Sequence, residues 1–201
     1  MRMQSRLRAM EDRTGGGFDG NMTNAPRTPR PARRPLRTGV LLLATMTTGL
    51  TAGVYTDWSN TVMPGLGGVD DRTFVTAFQA LDAAIMNPLF LGVEFTGSLL
   101  LIALALVLHL RSGQRAALVW LSVALAAYLV SVVITMGVNE PLNQQLRSVT
   151  EFGGDADFAA ARALLDEARW TAWNTVRALA VLTAFGSLAW TLVIHRRPTA
   201  A

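Results

Sequence analysis

The stretch LFLGVEFTGSLLLIALALVLHLRSGQRAALVWLSVALAAYLVSVVITMGV, residues 89–138, decides the fold. It contains two apolar runs, 89–110 and 116–138, with only RSGQR between them. Each run has about the 20 residues that a helix needs to cross the hydrocarbon core of a bilayer. Because the polar link is so short, the two helices are predicted to be antiparallel neighbours joined by a tight turn.

Two further apolar runs, 38–56 and 174–195, flank this pair. The 201 residues are 51% hydrophobic and 16% charged, and the mean hydropathy is +0.32. That is too apolar for an ordinary soluble domain. We therefore predict an all-α protein, a four-helix transmembrane bundle.

Each of the two long connections, 57–88 and 139–173, contains a helical pattern of its own. Apolar residues recur at helical spacing within DDRTFVTAFQALDAAIMN in the first and within DADFAAARALLDEARW in the second. The bundle is therefore predicted to carry two extra helical segments. We expect the second segment to continue directly into the fourth span.

Charge determines the predicted orientation. Each long connection has a net charge of −3. Arginines near short loops remain on the cytoplasmic side, so both termini and the short turn are predicted to be cytoplasmic and the long connections non-cytoplasmic. The expected location is the cell membrane, with the lipid bilayer as a partner. Seven arginines carry this prediction: Arg33, Arg34, Arg37, Arg111, Arg115, Arg196 and Arg197.

Residues 1–37 hold nine arginines against three acidic residues, together with a run of three glycines and four prolines. This composition is typical of a disordered arm rather than of a folded nucleic-acid-binding surface, so no nucleic-acid partner is expected. The predicted organisation is a disordered basic arm over 1–37, a membrane domain over 38–197 and a tail over 198–201. The sequence leaves open whether the chain forms a homo-oligomer.

Metal and cofactor sites have few possible ligands. Cysteine is absent and there are two histidines, His109 and His195, each beside arginine at the cytoplasmic end of a predicted span. Such histidines are typical of interfacial side chains rather than of haem ligands. We predict no metal site and no cofactor.

Polar and aromatic side chains from all four spans gather at the non-cytoplasmic end, whereas the inner halves are mostly aliphatic. Polar groups inside a bilayer usually face the bundle interior or a wet cavity. The sequence therefore predicts a pocket in the outer half of the bundle. The residues concerned are Tyr55, Trp58, Asn87, Glu94, Asn139, Asn143, Trp170, Trp173, Asn174 and Arg177.

Structural roles account for several of these residues equally well. Asn87 before Pro88 suits an N-cap, Asn139 before Pro141 suits the end of the third helix, and Trp58 suits the interfacial aromatic belt.

Glu94 and Arg177 carry opposite charges at similar depth. One interpretation is a structural ion pair between the second and fourth spans, and the other is a pair that also orients or ionises a ligand. Both interpretations stay open.

Four sequence blocks occur in order: VMPGL (62–66), FQALDAAIMNPLF (78–90), ITMGVNEPLNQQL (134–146) and WTAWNTVRAL (170–179). Together they resemble the anthrone-oxygenase-like family of small four-helix integral membrane proteins, over nearly all of residues 38–196. The motif residues of that family fall on Pro64, Asn87, Pro88, Asn139, Pro141, Asn143, Trp170, Asn174 and Arg177.

The resemblance implies a membrane-embedded, cofactor-independent oxygenase that acts on a lipophilic polycyclic aromatic, in an anthrone-to-quinone oxidation with O2. Such chemistry needs a base, a group that stabilises an oxyanion, and aromatic walls. The catalytic candidates are Arg177, Asn174, Asn139 and Asn143 for the oxyanion, and Glu94 or Asp82 for the proton. The substrate-binding candidates are Tyr55, Trp58, Trp170, Trp173 and Asn87.

Asp82 departs from the family pattern, in which asparagine is expected at this position. The departure introduces a possible base and leaves the substrate open. The alternative function is a non-catalytic membrane protein that binds a small hydrophobic molecule or serves as an assembly or transport partner.

Overall fold

The computed structural model describes residues 33–149 and 157–195, and within them every regular element is helical, as predicted. The four predicted spans are confirmed, and the first, third and fourth extend beyond their predicted limits. The predicted arm as far as residue 32 and the predicted tail lie outside the described residues. The stretches long and apolar enough to cross a membrane are Pro35–Gly67, Leu89–His109, Arg115–Val149 and Phe158–Ile194.

The described chain forms eight α-helices and three π-helical segments. The α-helices are α1 (Arg33–Asp57), α2 (Met63–Gly67), α3 (Asp71–Ile85), α4 (Gly97–His109), α5 (Arg115–Ile134), α6 (Glu140–Val149), α7 (Phe158–Leu165) and α8 (Glu167–His195). The π-helical segments are Trp58–Val62 between α1 and α2, Leu89–Thr96 before α4, and Thr135–Asn139 between α5 and α6.

Helices α1, α4, α5 and α8 form an up-and-down four-helix bundle. Helices α1 and α5 each pack against both α4 and α8, so the second and fourth spans lie diagonally opposite each other. Small residues such as Ala44 and Ala184 are fully buried between the helices, where they allow close approach. Large apolar side chains face outward, among them Val133, which is 69% exposed. An outward apolar surface of this kind suits contact with lipid.

The long connections form a cap, which consists of α2, α3, α6 and α7, at one end of the bundle. Its apolar core includes Phe74, Phe78, Leu146 and Leu165, all buried. The side chain of Asp70 starts α3 by accepting a hydrogen bond from the Thr73 N–H at 3.0 Å. The additional helical segments predicted in both long connections are therefore confirmed.

The second segment leads into the fourth span within the single stretch Phe158–Ile194, as expected, but Asp166 interrupts the helix between them. Asp166 has a φ of 50°, in the left-handed region, and separates α7 from α8. Its carbonyl oxygen then accepts a hydrogen bond from the Trp170 N–H at 2.8 Å, within the first turn of α8. Aspartate adopts this conformation more readily than most residues, but the sequence shows no glycine there to signal the break.

Prolines account for two of the π-helical segments. Pro64 and Pro141 each lie two residues after the end of one of them, at the second position of α2 and of α6. A proline lacks the N–H and crowds the carbonyl oxygen four residues earlier, which a wider π turn relieves. Both segments lie where the cap joins the bundle, so the prolines help to set the direction in which the cap leaves the bundle.

Candidate functional site

A cavity of about 340 Å³ lies where the cap meets the bundle. Its volume is within the range of roughly 300–1,000 Å³ that is usual for ligand pockets. All four spans and α3 contribute to its lining. The apolar and aromatic lining residues are Tyr55, Trp58, Ile85, Met86, Phe90, Leu91, Phe95, Met136 and Trp170. The polar lining residues are Asp82, Thr135, Glu140, Asn143, Gln144 and Arg177.

Arg177, on α8, is 7% exposed and lines the cavity. Its Nε and Nη2 both donate to Oδ1 of Asn174, Nε at 3.1 Å, and its Nη1 donates to Oγ1 of Thr135 at 3.2 Å. Its Cζ lies 3.8 Å from the centroid of the Tyr55 ring. Within the described parts of the chain, no carboxylate oxygen lies within 4.0 Å of its nitrogens. This buried cation therefore has only neutral partners, and its charge is not balanced locally.

Asn174 holds Arg177 in place. It lies one turn before Arg177 on α8, is fully buried and does not line the cavity. Its Nδ2 donates to the Tyr55 carbonyl oxygen at 2.9 Å and to Oγ of Ser59 at 2.6 Å, which leaves Oδ1 free to accept from the guanidinium. Asn174 is thus a positioning residue that links the first span to the Arg177 side chain.

A second cluster of hydrogen-bonded polar side chains lies at the cavity on the side of the cap. The indole N–H of Trp170 donates to Oδ1 of Asn143 at 2.7 Å, and Nδ2 of Asn143 donates to Oδ1 of Asp82 at 2.9 Å. Nη1 of Arg147 lies 2.9 Å from Oδ2 of Asp82, and Nη2 of Arg147 donates to Oε1 of Glu140. These contacts fix the orientation of the Asp82 carboxyl group and join α3 to α6 and α8.

Asp82 is 4% exposed, and it lies on α3, outside the four spans. Burial raises the pKa of its carboxyl group above the ordinary value and outweighs the lowering by Arg147 and Asn143, while nearby Glu140 raises it further. A carboxylate with a raised pKa is a stronger base than a free one. Asp82 can therefore accept a proton more readily than an exposed aspartate.

Aromatic side chains form rigid walls around these polar groups. The ring centroids of Trp58 and Trp170 lie 5.4 Å apart, and Phe78 packs behind both at 5.4 Å and 5.7 Å. On the opposite side, the rings of Tyr55 and Phe90 meet edge to face at 6.3 Å. These rings pack against one another, so the aromatic part of the cavity wall is supported by its neighbours.

Comparison with known proteins gives one match. Residues 86–187, half of the chain, match the model of the family described as anthrone oxygenase. The chain belongs to the anthrone oxygenase family. No curated protein and no solved structure matches it. In this anthrone oxygenase family member, the matched part includes the second and third spans and most of the fourth, which together supply most of the cavity lining.

The residues predicted for the site fall into two groups in this family member. Six of them line the cavity: Tyr55, Trp58, Asp82, Asn143, Trp170 and Arg177. The other five lie outside the lining: Asn87, Glu94, Asn139, Trp173 and Asn174.

The ion pair between Glu94 and Arg177 is absent from the described chain, so that prediction was wrong. The two residues lie at similar depth, but their spans are diagonally opposite in the bundle. The backbone carbonyl of Glu94 instead accepts hydrogen bonds from Thr51 at 2.9 Å and from Tyr128 at 3.2 Å. Oε2 of Glu94 is buried and has no hydrogen-bond partner within the part of the chain that the structure describes.

Asn87 and Asn139 make structural contacts. Oδ1 of Asn87 accepts a hydrogen bond from the Phe90 N–H at 2.9 Å, the N-cap predicted as its alternative role. Nδ2 of Asn139 donates to the Trp170 carbonyl oxygen at 3.2 Å, which joins the third and fourth spans. Asn139 does not end the third helix, because the chain continues through the π turn into α6. Trp173, which was predicted to bind the substrate, is 41% exposed and does not line the cavity.

Thr135 and Glu140 are lining residues that the sequence reasoning missed. A signal was present, because they lie four and three residues before the predicted residues Asn139 and Asn143 on helical turns. Phe90 and Phe95 also line the cavity, but the sequence does not distinguish them from phenylalanines that face lipid.

His109 was predicted to be interfacial and is instead fully buried, with Nδ1 2.7 Å from the Ala105 carbonyl oxygen. The side chain of His195 lies outside the described residues. Among residues 33–149 and 157–195, no group of three or more histidine, aspartate or glutamate side chains could hold a metal ion.

Proposed function

We propose that this protein is a membrane-embedded, cofactor-independent oxygenase-like enzyme that oxidises a lipophilic polycyclic aromatic, in a reaction of the anthrone-to-quinone type. Membership of the anthrone oxygenase family supports the oxygenase class. The observation that carries the finer proposal is Arg177, a buried guanidinium that lines an aromatic cavity and has only neutral partners in the described chain.

The substrate supplies the missing negative charge. Loss of a proton from the methylene carbon of an anthrone gives an anion that is delocalised onto the carbonyl oxygen. A fixed cation stabilises such an oxyanion most strongly where water is excluded and the effective dielectric is low. Asn174 and Thr135 hold the Arg177 fork in place before the charge develops, so little reorganisation is needed in the transition state.

Asp82 is the proposed base. It lines the cavity, it is nearly buried, and burial raises the pKa of its carboxyl group toward the range in which a base is effective. Glu94, the other candidate, does not line the cavity. Asn143 and Arg147 keep the Asp82 carboxylate oriented as it gains and loses a proton.

The proposed reaction consumes one O2 per substrate. Asp82 takes a proton from the methylene carbon, and the resulting carbanion gives electrons to O2 as a carbon–oxygen bond forms. The peroxide anion receives the proton back from Asp82. Loss of the second proton from the same carbon to Asp82 then breaks the O–O bond, which leaves a carbonyl group and expels hydroxide. Hydroxide takes the proton from Asp82 and leaves as water.

We infer further that the protein lies in the cell membrane with both termini in the cytoplasm and the cavity on the opposite side. The arginines around the short turn and the termini support this orientation, since basic residues are retained on the cytoplasmic side. Labelling of Gln144→Cys in intact cells by a membrane-impermeant thiol reagent tests it. The native chain has no cysteine that would interfere.

The test of the proposed activity uses the full chain, purified in detergent and treated with chelator, with an anthrone and O2. Quinone formation is followed by absorbance and O2 uptake with an electrode, at a ratio of one to one. Arg177→Ala is expected to lower kcat/KM by about 100-fold to 1,000-fold, as the loss of an oxyanion-stabilising donor does elsewhere. Asn174→Ala is expected to lower it by about 100-fold, because the guanidinium loses its fixed position.

The matched control is Arg169→Ala, which removes an exposed arginine from the same helix, two turns earlier. It should leave turnover within twofold of the unmodified protein. Unchanged turnover in both Arg177→Ala and Asn174→Ala removes the proposed roles. Tight anthrone binding without any turnover would instead favour the alternative, a membrane protein that binds a small hydrophobic molecule.

A further inference from the structure

The cavity is closed on one side and open on the other. On the side of the first and fourth spans its lining side chains are buried, including Tyr55 and Trp170. On the side of the second and third spans it is lined by Met86 and Met136, which are nevertheless 46% and 58% exposed. A side chain that both lines a cavity and is exposed marks the place where the cavity opens to the outside.

The opening has a cause in the backbone. The π-helical segment Leu89–Thr96 packs against α1 and the segment Thr135–Asn139 packs against α8, so the two segments pack on different helices. Below this level the two spans are held together, since the Tyr128 hydroxyl donates to the Phe95 carbonyl oxygen at 2.8 Å. The result is a slot between the second and third spans, bordered by Met86 and Met136 and ending at Tyr128.

The two ends of the slot differ in polarity. Leu89 and Val133 each lie three residues along the chain from one of these methionines and are more than half exposed, as lipid-facing residues are. At the other end, in the cap, the exposed Gln144 also lines the cavity. The slot therefore runs from the apolar surface of the bundle to the polar surface of the cap.

We propose that the cavity receives its substrate sideways from the bilayer, through the slot between Met86 and Met136, and not from water past Gln144. The proposal rests on the proposed function, in which the substrate is a lipophilic polycyclic aromatic. Such a molecule concentrates in lipid, and a lateral path spares it contact with water. Methionine suits this position, because its unbranched, flexible side chain can move aside and repack around rings of different shape.

The test uses single-cysteine variants of the full chain in lipid nanodiscs, since the native chain is free of cysteine. Met86→Cys and Met136→Cys place a thiol at the slot, and Gln144→Cys places one at the polar end. Met46→Cys is the matched control, because Met46 is 65% exposed on the first span and does not line the cavity. Each variant is modified with benzyl methanethiosulfonate or with a charged trimethylammonium thiosulfonate, and the rates are followed by mass spectrometry.

Measuring the modification rates does not require the protein to be catalytically active. If the slot opens to lipid, the apolar reagent should modify Met86→Cys and Met136→Cys at least tenfold faster than the charged one, as at Met46→Cys, and Gln144→Cys should favour the charged reagent. Anthraquinone dissolved in the bilayer should slow modification at the two slot positions at least fivefold and leave Met46→Cys unaffected. Equal reaction of the slot positions with the charged reagent, or no protection by anthraquinone, would overturn the proposal.

Turnover of an anthrone then distinguishes the two paths. Blocking Met136→Cys with the benzyl group should lower turnover at least tenfold, and a reducing agent that removes the group should restore it. Blocking Gln144→Cys with the same group should lower turnover at least fivefold less than blocking Met136→Cys does. The opposite pattern would mean access from water. If the unmodified protein has no turnover at all, the proposed reaction fails, and the modification rates alone decide on the slot.

Discussion

Arg162 and Arg177 are both largely enclosed, yet the cap and the cavity surround them very differently. In the cap, Arg162 contacts two carboxylates, Asp71 at 3.1 Å and Glu167 at 2.5 Å, and its Nη1 donates to the Val69 carbonyl oxygen at 3.0 Å. Its charge is balanced within the chain, and it ties α7 to the start of α3 and to α8.

Arg177 has an amide, a hydroxyl and an aromatic ring as partners, and no carboxylate in the described chain. A cation kept away from water without a counterion weakens folding, so its retention calls for a reason other than stability. The contrast is the basis for treating Arg162 as a structural residue and for proposing that Arg177 meets an anionic ligand.

The largest expected effect is that replacing each arginine by methionine affects a different property, stability for Arg162 and turnover for Arg177. Arg162→Met should lower the free energy of unfolding by about 1 kcal/mol, because it removes ion pairs with the partly exposed Asp71 and Glu167 and a hydrogen bond to the Val69 carbonyl oxygen. Arg177→Met should abolish turnover at a smaller loss of stability, because it also removes an unbalanced buried charge. Thermal unfolding in detergent and anthrone oxidation, measured on both variants, check this.

Arg162→Met should retain turnover at temperatures where it is folded. If Arg177→Met proves to be the more destabilised variant, then Arg177 is a structural residue like Arg162, and the ligand proposal loses its main support.

The second expectation concerns pH and two carboxyl groups on α3. Burial raises the pKa of Asp82, whereas hydrogen bonds from Thr73 lower the pKa of Asp70. A raised pKa means that the folded state binds the proton more tightly than the unfolded state. The contribution of Asp82 to stability is therefore fully present below the ordinary carboxyl pKa and is lost as the pH rises through the raised value. The contribution of Asp70 has the opposite pH dependence. It is present above the ordinary carboxyl pKa and is lost as the pH falls through the lowered pKa of Asp70.

In the unmodified protein, Asp82 should make the free energy of unfolding decline between acid and neutral pH, and Asp82→Asn should remove that decline. Asp70→Ala should lower the free energy of unfolding more at neutral pH than at acid pH. If Asp82 is the base, kcat/KM of the unmodified protein should rise with pH through its raised pKa, and Asp82→Asn should lose that limb together with most of the rate. Chemical unfolding and initial rates from pH 4 to pH 8 provide both readouts. An unchanged pH profile in Asp82→Asn would assign the proton to another group.

The smallest expected effect is a coupling energy. A double-mutant cycle of Glu94→Gln with Arg177→Leu should give a coupling below about 0.5 kcal/mol, because the two side chains do not meet. The same cycle for Arg162→Leu with Glu167→Gln should give about 1 kcal/mol or more. A strong coupling between Glu94 and Arg177 would restore the ion pair that the structure lacks.

Hydropathy was enough to predict the bundle, because a membrane leaves only helices and barrels as solutions and each span must be long and apolar. The helices of the cap also followed from periodicity, as the buried Phe74 and Phe78 of α3 illustrate. The gathering of Tyr55, Trp58, Trp170 and Arg177 around one cavity followed from counting their depth along each span.

Depth along a helix says nothing about direction around it, and this explains why Glu94 and Trp173 were placed wrongly. Glu94 and Arg177 were matched by depth, but their spans lie across the diagonal of the bundle. Phe90 faces the cavity and Trp173 does not, although the sequence places both at the same end. Asp166 breaks the helix through a conformation that tertiary contacts select and that its residue type does not announce.

The π turn at Thr135–Asn139 separates α5, which belongs to the bundle, from α6, which carries Asn143 and Arg147. Successive residues of a helix are offset by about 100° around its axis, so one residue more or fewer in this turn would rotate all of α6 by that angle. The amide and the guanidinium that hold Asp82 would then point elsewhere, with every residue of the network still present. The number of residues in this turn therefore determines the arrangement of the cavity lining as much as the side chains themselves do.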